Sequence, residues 1–123
     1  MIIIDANAIL RYILNDNADM ATKVRELLVN NKVTVRFEVI AEVVYVLTGV
    51  YKATREDVEK AIIELLDTER IYVESEDIVR YAITTYKTHS LDFVDCLLYA
   101  YQNIDGEVIY SFDKKLNKLL DKK

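Results

Sequence analysis

Residues 2–14, Ile2-Ile3-Ile4-Asp5-Ala6-Asn7-Ala8-Ile9-Leu10-Arg11-Tyr12-Ile13-Leu14, decide the fold class of this chain. Ile2 to Ile4 is a β-branched run without polar alternation, the pattern of a buried strand that ends at Asp5. From Ala6 to about Leu14 the residues read as a helix. The same change recurs along the chain. Val33-Thr34-Val35-Arg36 and Ile71-Tyr72-Val73 read as further strands, and residues 107–112 as a fourth. Helices are expected over Asp19–Asn30, from Glu38 to about Leu47 with Gly49 as its end, over Ser75–Lys87, Asp92–Asn103 and Lys114–Leu120. Thr54 followed by Asp57 resembles a capping box and opens another helix, with Val58, Ala61, Ile62 and Leu65 on one face. Gly106 suits the turn after the helix from Asp92. The order is β-α-α-β-α-α-β-α-α-β-α. It predicts the α/β class, with helices on both faces of a mainly parallel sheet.

The rest of the composition agrees. The chain has 123 residues, no proline and two glycines. That is one domain with short connections and room for a sizeable core. Hydrophobic residues make up 52% and charged residues 30%, a globular balance. A net charge of −5 argues against a broad basic surface for coating DNA. Five of the last ten residues are lysines (Lys114, Lys115, Lys118, Lys122 and Lys123), read as a solvated helix face. A single cysteine, Cys96, excludes an intramolecular disulfide and fits a reducing, cytoplasmic setting. No signal-peptide pattern and no membrane-length apolar run are visible.

Ligands in open α/β sheets bind beyond the carboxyl ends of the strands. That rule places Asp5 and Asp113, each after an apolar strand-like run, at one edge. Each could equally serve as the N-cap of the helix it precedes. Glu42 lies inside Val39-Ile40-Ala41-Glu42-Val43-Val44-Tyr45-Val46-Leu47, which is apolar almost all round. A helix of that kind is buried, so Glu42 is expected to need a cation or an arginine, with Arg11 or Arg36 as the alternative partner. Glu38, one turn earlier, reads as an exposed helix-start acid. Asp92 and Asp95 are three apart and share a helix face. Asp92 is placed as an N-cap, with Asp95 facing inward as the ligand. Two carboxylates about 4 Å apart repel by roughly 4 kcal/mol at an effective dielectric near 20, and a divalent cation would turn that into binding. Asn7, Asp92 and Ser111 are candidate supports. His89 reads as a surface loop residue and Cys96 as a small buried hydrophobe. With one His and one Cys, a zinc site of Cys/His composition is excluded. No phosphate-cradling glycine loop is present. The nine tyrosines read first as core and interface residues, and second as base-stacking groups.

Four segments together resemble the PIN-domain nucleases, and within them the VapC-like toxin ribonucleases of toxin–antitoxin pairs. "IIIDANAILRYIL" resembles the opening strand, acid and helix. "EVIAEVVYVL" resembles the acidic helix with Glu42, "LDFVDCLLYA" the third motif with Asp95, and "VIYSFDKKL" the closing motif with Ser111 and Asp113. The likeness runs from Met1 to about Leu120. It departs at Cys96, where alanine is usual, and before Glu42, where Val35-Arg36-Phe37-Glu38 lacks the usual Ser/Thr or Pro. The resemblance implies a three-layer α/β/α fold with four or five short strands. It also implies a Mg²⁺- or Mn²⁺-dependent endoribonuclease whose metal ligands are Asp5, Glu42, Asp95 and Asp113. It further implies an RNA substrate, products with 5′-phosphate and 3′-hydroxyl ends, a homodimer and a small antitoxin. From position alone, Arg11, Lys114 and Lys115 are candidates for backbone contacts. Two other classes compete: a PIN-like nuclease of RNA processing or quality control, and a non-catalytic Mg²⁺-binding regulatory module like the phospho-receiver domains. The second would need paired N-terminal acids and a late pocket lysine. Here the first strand offers only Asp5, and the late one ends in Asp113.

Overall fold

The computed structural model describes residues 1–121, so Lys122 and Lys123 of the lysine run lie outside the described residues. Three short strands form one parallel sheet: β1 (Ile2–Ile3), β2 (Val33–Val35) and β3 (Ile71–Val73), in the order β1-β2-β3. Ile2 pairs with Val33, and Val33 in turn with Ile71. The ladder runs one residue past β1, because the Ile4 N–H donates to the Thr34 carbonyl at 3.2 Å. Two helices separate each strand from the next: α1 (Ala6–Leu14) and α2 (Ala18–Asn30), then α3 (Phe37–Gly49) and α4 (Arg55–Leu66). After β3 come α5 (Glu76–Thr88), α6 (Phe93–Asp105) and α7 (Lys114–Leu120). Parallel neighbours require such crossovers, which is why the sheet follows from the alternation of elements.

The helices begin where local chemistry favours a start. The Asn17 and Thr54 side chains accept from the Met20 and Asp57 N–H groups, capping α2 and α4. Gly106 ends α6 at φ +70°, a left-handed geometry that side chains with a Cβ rarely adopt. The core is apolar and continuous. Val33 and Val35 of the central strand are fully buried, with Ile9, Ile40, Ile62, Ile83 and Leu116 from helices around it. Each such side chain removed from water contributes about 1.5–3 kcal/mol. α3 packs against α1, α4 and α6, and α5 against α4 and α6. The carboxylate-bearing helices α1, α3 and α6 are therefore tied together through α3.

The expected sheet of four or five strands is corrected to three among the described residues. Residues 107–112 carry a strand-like apolar alternation, yet they pair with nothing in the sheet. Val108, Tyr110 and Phe112 are 94%, 84% and 87% exposed. Local bonds occupy this backbone instead. The Asn117 side chain donates to the Ser111 carbonyl at 2.7 Å, and the Asp113 N–H donates to Ser111 Oγ at 3.0 Å. Side-chain bonds of this kind compete with a ladder. β1 has two residues and offers little edge to pair with.

Candidate functional site

Asp5, Asp92, Asp95 and Asp113 stand at helix starts, as the sequence placed them, but in unequal surroundings. Asp5 is the N-cap of α1, and its Oδ1 accepts the Ala8 N–H at 2.9 Å. Asp113 is the N-cap of α7, and its Oδ1 accepts the Leu116 N–H at 2.8 Å. In both, the capping role is real and uses one oxygen. The other makes no hydrogen bond among the described residues and remains available to a ligand. The Ser111 hydroxyl meets the Asp113 N–H, so Ser111 holds the backbone that carries this acid.

Asp92 occupies the N-cap position of α6, but its carboxylate makes no capping bond. It is exposed and uncommitted, one turn before the half-buried Asp95. Burial raises the Asp95 carboxyl above its ordinary range, and the negative charges of Asp113 and Asp92 raise it further. The structure thus brings Asp113 and Asp92 within electrostatic range of Asp95. Neither Asp5 nor Glu42 is among the charges that act on Asp95. No three Asp, Glu, His or Cys side chains among the described residues are close enough as they stand to hold one ion. The chemistry still suits a hard divalent cation, because every candidate donor is a carboxylate oxygen and the repulsion at Asp95 is one that a cation relieves.

Glu42 corrects an expectation. It is exposed on α3, whose buried residues are Ile40, Val43, Val44 and Leu47. The apolar residues around it mislead because Tyr45, on the same side, is 77% exposed. Neither proposed arginine partner meets Glu42. Arg11 holds Asp16 through both carboxylate oxygens at 2.9 Å and donates to the Tyr51 hydroxyl. Arg36 pairs with Glu74 at 3.4 Å and, weakly, with Glu38. Arg11 is thereby engaged by Asp16 and Tyr51, whereas Lys114 and Lys115 stay exposed without ion pairs among the described residues. The missing cap before Glu42 is supplied from a distance: the Phe37 N–H donates to Glu74 Oε1 at 3.1 Å. Asn7 is exposed in the first turn of α1. His89 is an exposed residue at the end of α5, and Cys96 is fully buried, as expected. Burial pushes the Cys96 thiol up to about 12, with the Arg55 charge opposing. The tyrosines divide: Tyr86 is in the core, while Tyr45 and Tyr110 are exposed.

Arg55 is the residue that sequence reasoning missed. Its Nη1 donates to the carbonyls of Tyr86, His89 and Leu91, immediately before Asp92. One signal was visible. Arg55 is the first residue of α4, where the helix dipole disfavours a cation, which suggests that its charge serves another element.

A three-stranded parallel sheet under paired helices, with carboxylates at the starts of α1, α6 and α7, defines an acidic-site α/β domain. The chain matches the PIN domain over residues 2–121 and belongs to that family. Over 89 residues it is 35% identical to a VapC ribonuclease of Aquifex aeolicus (strain VF5). That stretch covers 72% of this chain and 66% of the relative, just under two thirds of the relative's length. No solved structure matches the chain at comparable strength. Among the described residues, no helix is long and apolar enough to cross a membrane.

Proposed function

We infer that this PIN domain is a Mg²⁺- or Mn²⁺-dependent endoribonuclease and the toxin of a toxin–antitoxin pair. Family membership and the likeness to a VapC ribonuclease support the class of reaction. The observation that carries the site is Asp95, held half-buried at the start of α6 and opposed by Asp113 and Asp92. Asp5, Asp95, Asp113 and Glu42 are the proposed ligands. A bound divalent ion would lower the pKa of the attacking water and neutralise charge on the phosphodiester. The protein's part is positional. Helix N–H groups pin one oxygen each of Asp5 and Asp113, which leaves the second oxygen without a hydrogen bond among the described residues. Glu42, Asp5 and Asp113 are exposed, and exposed side chains change rotamer within nanoseconds, so these acids are proposed to adjust towards a bound ion. Glu42 is the carboxylate proposed to hold the attacking water. Lys114 and Lys115, beside Asp113, are proposed to meet substrate phosphates as point charges. A homodimer and a small antitoxin complete the proposal, in a cytoplasmic setting.

The test is cleavage of a pool of single-stranded RNAs by wild type and Asp95→Asn purified in parallel, with Mn²⁺, Mg²⁺ or EDTA. Metal-dependent cleavage with 5′-phosphate ends, lost in the variant, is the expected result. Equal cleavage by both proteins would place the activity elsewhere or in a contaminant. Growth arrest on expression, relieved by Asp95→Asn, tests the toxin role.

A further inference from the structure

Arg55 does little for the helix that it begins. It sits at the first position of α4, followed by Glu56 and Asp57, which suit that end of a helix far better. Its guanidinium instead crosses to the far end of α5. There the centre of the guanidinium lies 4.0 Å from the ring centroid of the buried Tyr86. From Nη1 it donates to three carbonyls, those of Tyr86 at 2.9 Å and of His89 and Leu91 at 2.8 Å. The last carbonyls of a helix have no partner within it and favour a cation. The Tyr86 carbonyl is one of these. The other two belong to the turn that leads into α6. Three carbonyl dipoles aimed at one point repel each other unless a charged donor sits there, and a hydrogen bond to a charged group contributes about 1.5–3 kcal/mol.

The tied segment is the one that delivers the acids. Leu91 directly precedes Asp92, and Asp95 lies in the first turn that follows. Neither Asp92 nor Asp95 makes a side-chain hydrogen bond among the described residues, so nothing on the carboxylates themselves sets where α6 begins. The same turn also faces the helix that carries the other acid. His89, Ser90 and Leu91 line a pocket of about 200 Å³ together with Lys115, Lys118 and Leu119 of α7.

We propose that Arg55 is a positioning residue for the metal site, clamping the α5–α6 turn so that Asp95 stays within electrostatic range of Asp113 and Asp92, from where a cation can draw the carboxylates together. The inference rests on the metal-dependent reading of the site. It adds a residue that touches neither metal nor RNA. A displacement of about 1 Å at a reacting centre can cost on the order of a hundredfold in rate, so a clamp at the root of α6 acts on the site without touching it.

The experiment uses the full chain with Arg55→Met, which keeps the stem and loses every donor, and Arg55→Lys, whose ammonium offers three donors. Mn²⁺ binding is read from the electron spin resonance signal of the free ion. Amide exchange over residues 90–96 is read without metal. RNA cleavage is followed against Mn²⁺ concentration, well below the melting temperature. Arg55→Met should exchange at least tenfold faster over this segment and bind Mn²⁺ at least tenfold more weakly, and Arg55→Lys should recover most of both. If Arg55→Met is too unstable to purify, Arg55→Gln carries the same comparison. A folded variant with a lowered melting temperature but unchanged Mn²⁺ affinity would reduce Arg55 to a structural helix cap and overturn the proposal. Wild type that binds Mn²⁺ but cleaves no RNA would sink the nuclease reading alone, since the affinity and exchange comparisons still decide Arg55. Wild type that binds no Mn²⁺ would sink both.

Discussion

Replacing Asp95 by Asn keeps the shape of the side chain and removes one charge. Asp95 is half-buried, makes no side-chain hydrogen bond among the described residues, and faces the charges of Asp113 and Asp92. Two carboxylates at about 4 Å repel by about 1 kcal/mol in water and about 4 kcal/mol at an effective dielectric near 20. Asp95 is only half-buried and both Asp92 and Asp113 are exposed, so solvent screening favours the lower end and the relief is about 1 kcal/mol. Against it stands the helix dipole, which favours an acid in the first turn by about 0.3–1 kcal/mol. The two nearly cancel. In EDTA at neutral pH, Asp95→Asn should be as stable as wild type, or more stable by up to about 0.7 kcal/mol. The folded carboxyl titrates above its unfolded counterpart, so ionising it costs the fold stability. Any advantage of the variant should therefore be absent below about pH 3, where the carboxyl is neutral in both folded and unfolded states, should grow as pH rises above the unfolded value, and should level off above the raised folded one. Metal should reverse the order. Saturating a site at a hundred times its dissociation constant stabilises by about 2.7 kcal/mol, available to wild type and not to the variant. Thermal melts from pH 3 to 8, with EDTA and with Mn²⁺, read both effects. A loss of more than about 1 kcal/mol in EDTA would show that Asp95 is chiefly a helix-start acid. An undiminished Mn²⁺ shift in the variant would remove it from the metal site.

The other acids should separate stability from activity differently. Glu42→Gln, at an exposed position, should change stability by less than about 0.5 kcal/mol in urea melts while cutting RNA cleavage about a hundredfold or more. A cleavage rate within threefold of wild type would exclude Glu42 from the chemistry. Asp113→Ala removes the cap on the Leu116 N–H and should cost about 1 kcal/mol even in EDTA, as well as activity. Asp113→Asn should keep most of that stability, a contrast readable from the same melts. Cys96 should resist iodoacetamide at pH 8 in the native protein, because its thiol is fully buried and pushed up to about 12, and react on addition of urea. Rapid native labelling, followed by mass spectrometry, would contradict that burial.

What the sequence revealed was local, and what it hid was not. The caps at Asp5, Thr54 and Asp113 and the stop at Gly106 are each settled within a few residues, and all four were readable. Helix starts and ends fell within one or two residues of expectation where the apolar period was clear, as in α2 and α7. Residues 107–112 failed because a strand needs a partner, and alternation alone cannot supply one. Glu42 failed for a related reason. Burial was inferred from the character of its neighbours, whereas α3 covers one face and leaves Glu42 and Tyr45 to solvent. The Glu74 cap on α3 joins residues 37 apart, and no local pattern announces it.

The same distinction bears on how the site is held together. Asp5 and Asp113 are oriented by their own helices, through bonds spanning three residues, and such positions survive much change elsewhere. Asp95 has no such bond. Its place depends on where α6 begins, and the turn leading there is bonded by Arg55 of α4 across the end of α5. The helix that carries Glu42 likewise begins at a distant contact, the Phe37 N–H donating to Glu74. Two acids are thus oriented by local bonds, and the helices of the other two begin at contacts from distant charged side chains. Loosening either distant contact should leave four intact carboxylates and a poorer metal site. Arg55 and Glu74 are therefore where variants should lose function with every candidate ligand still present.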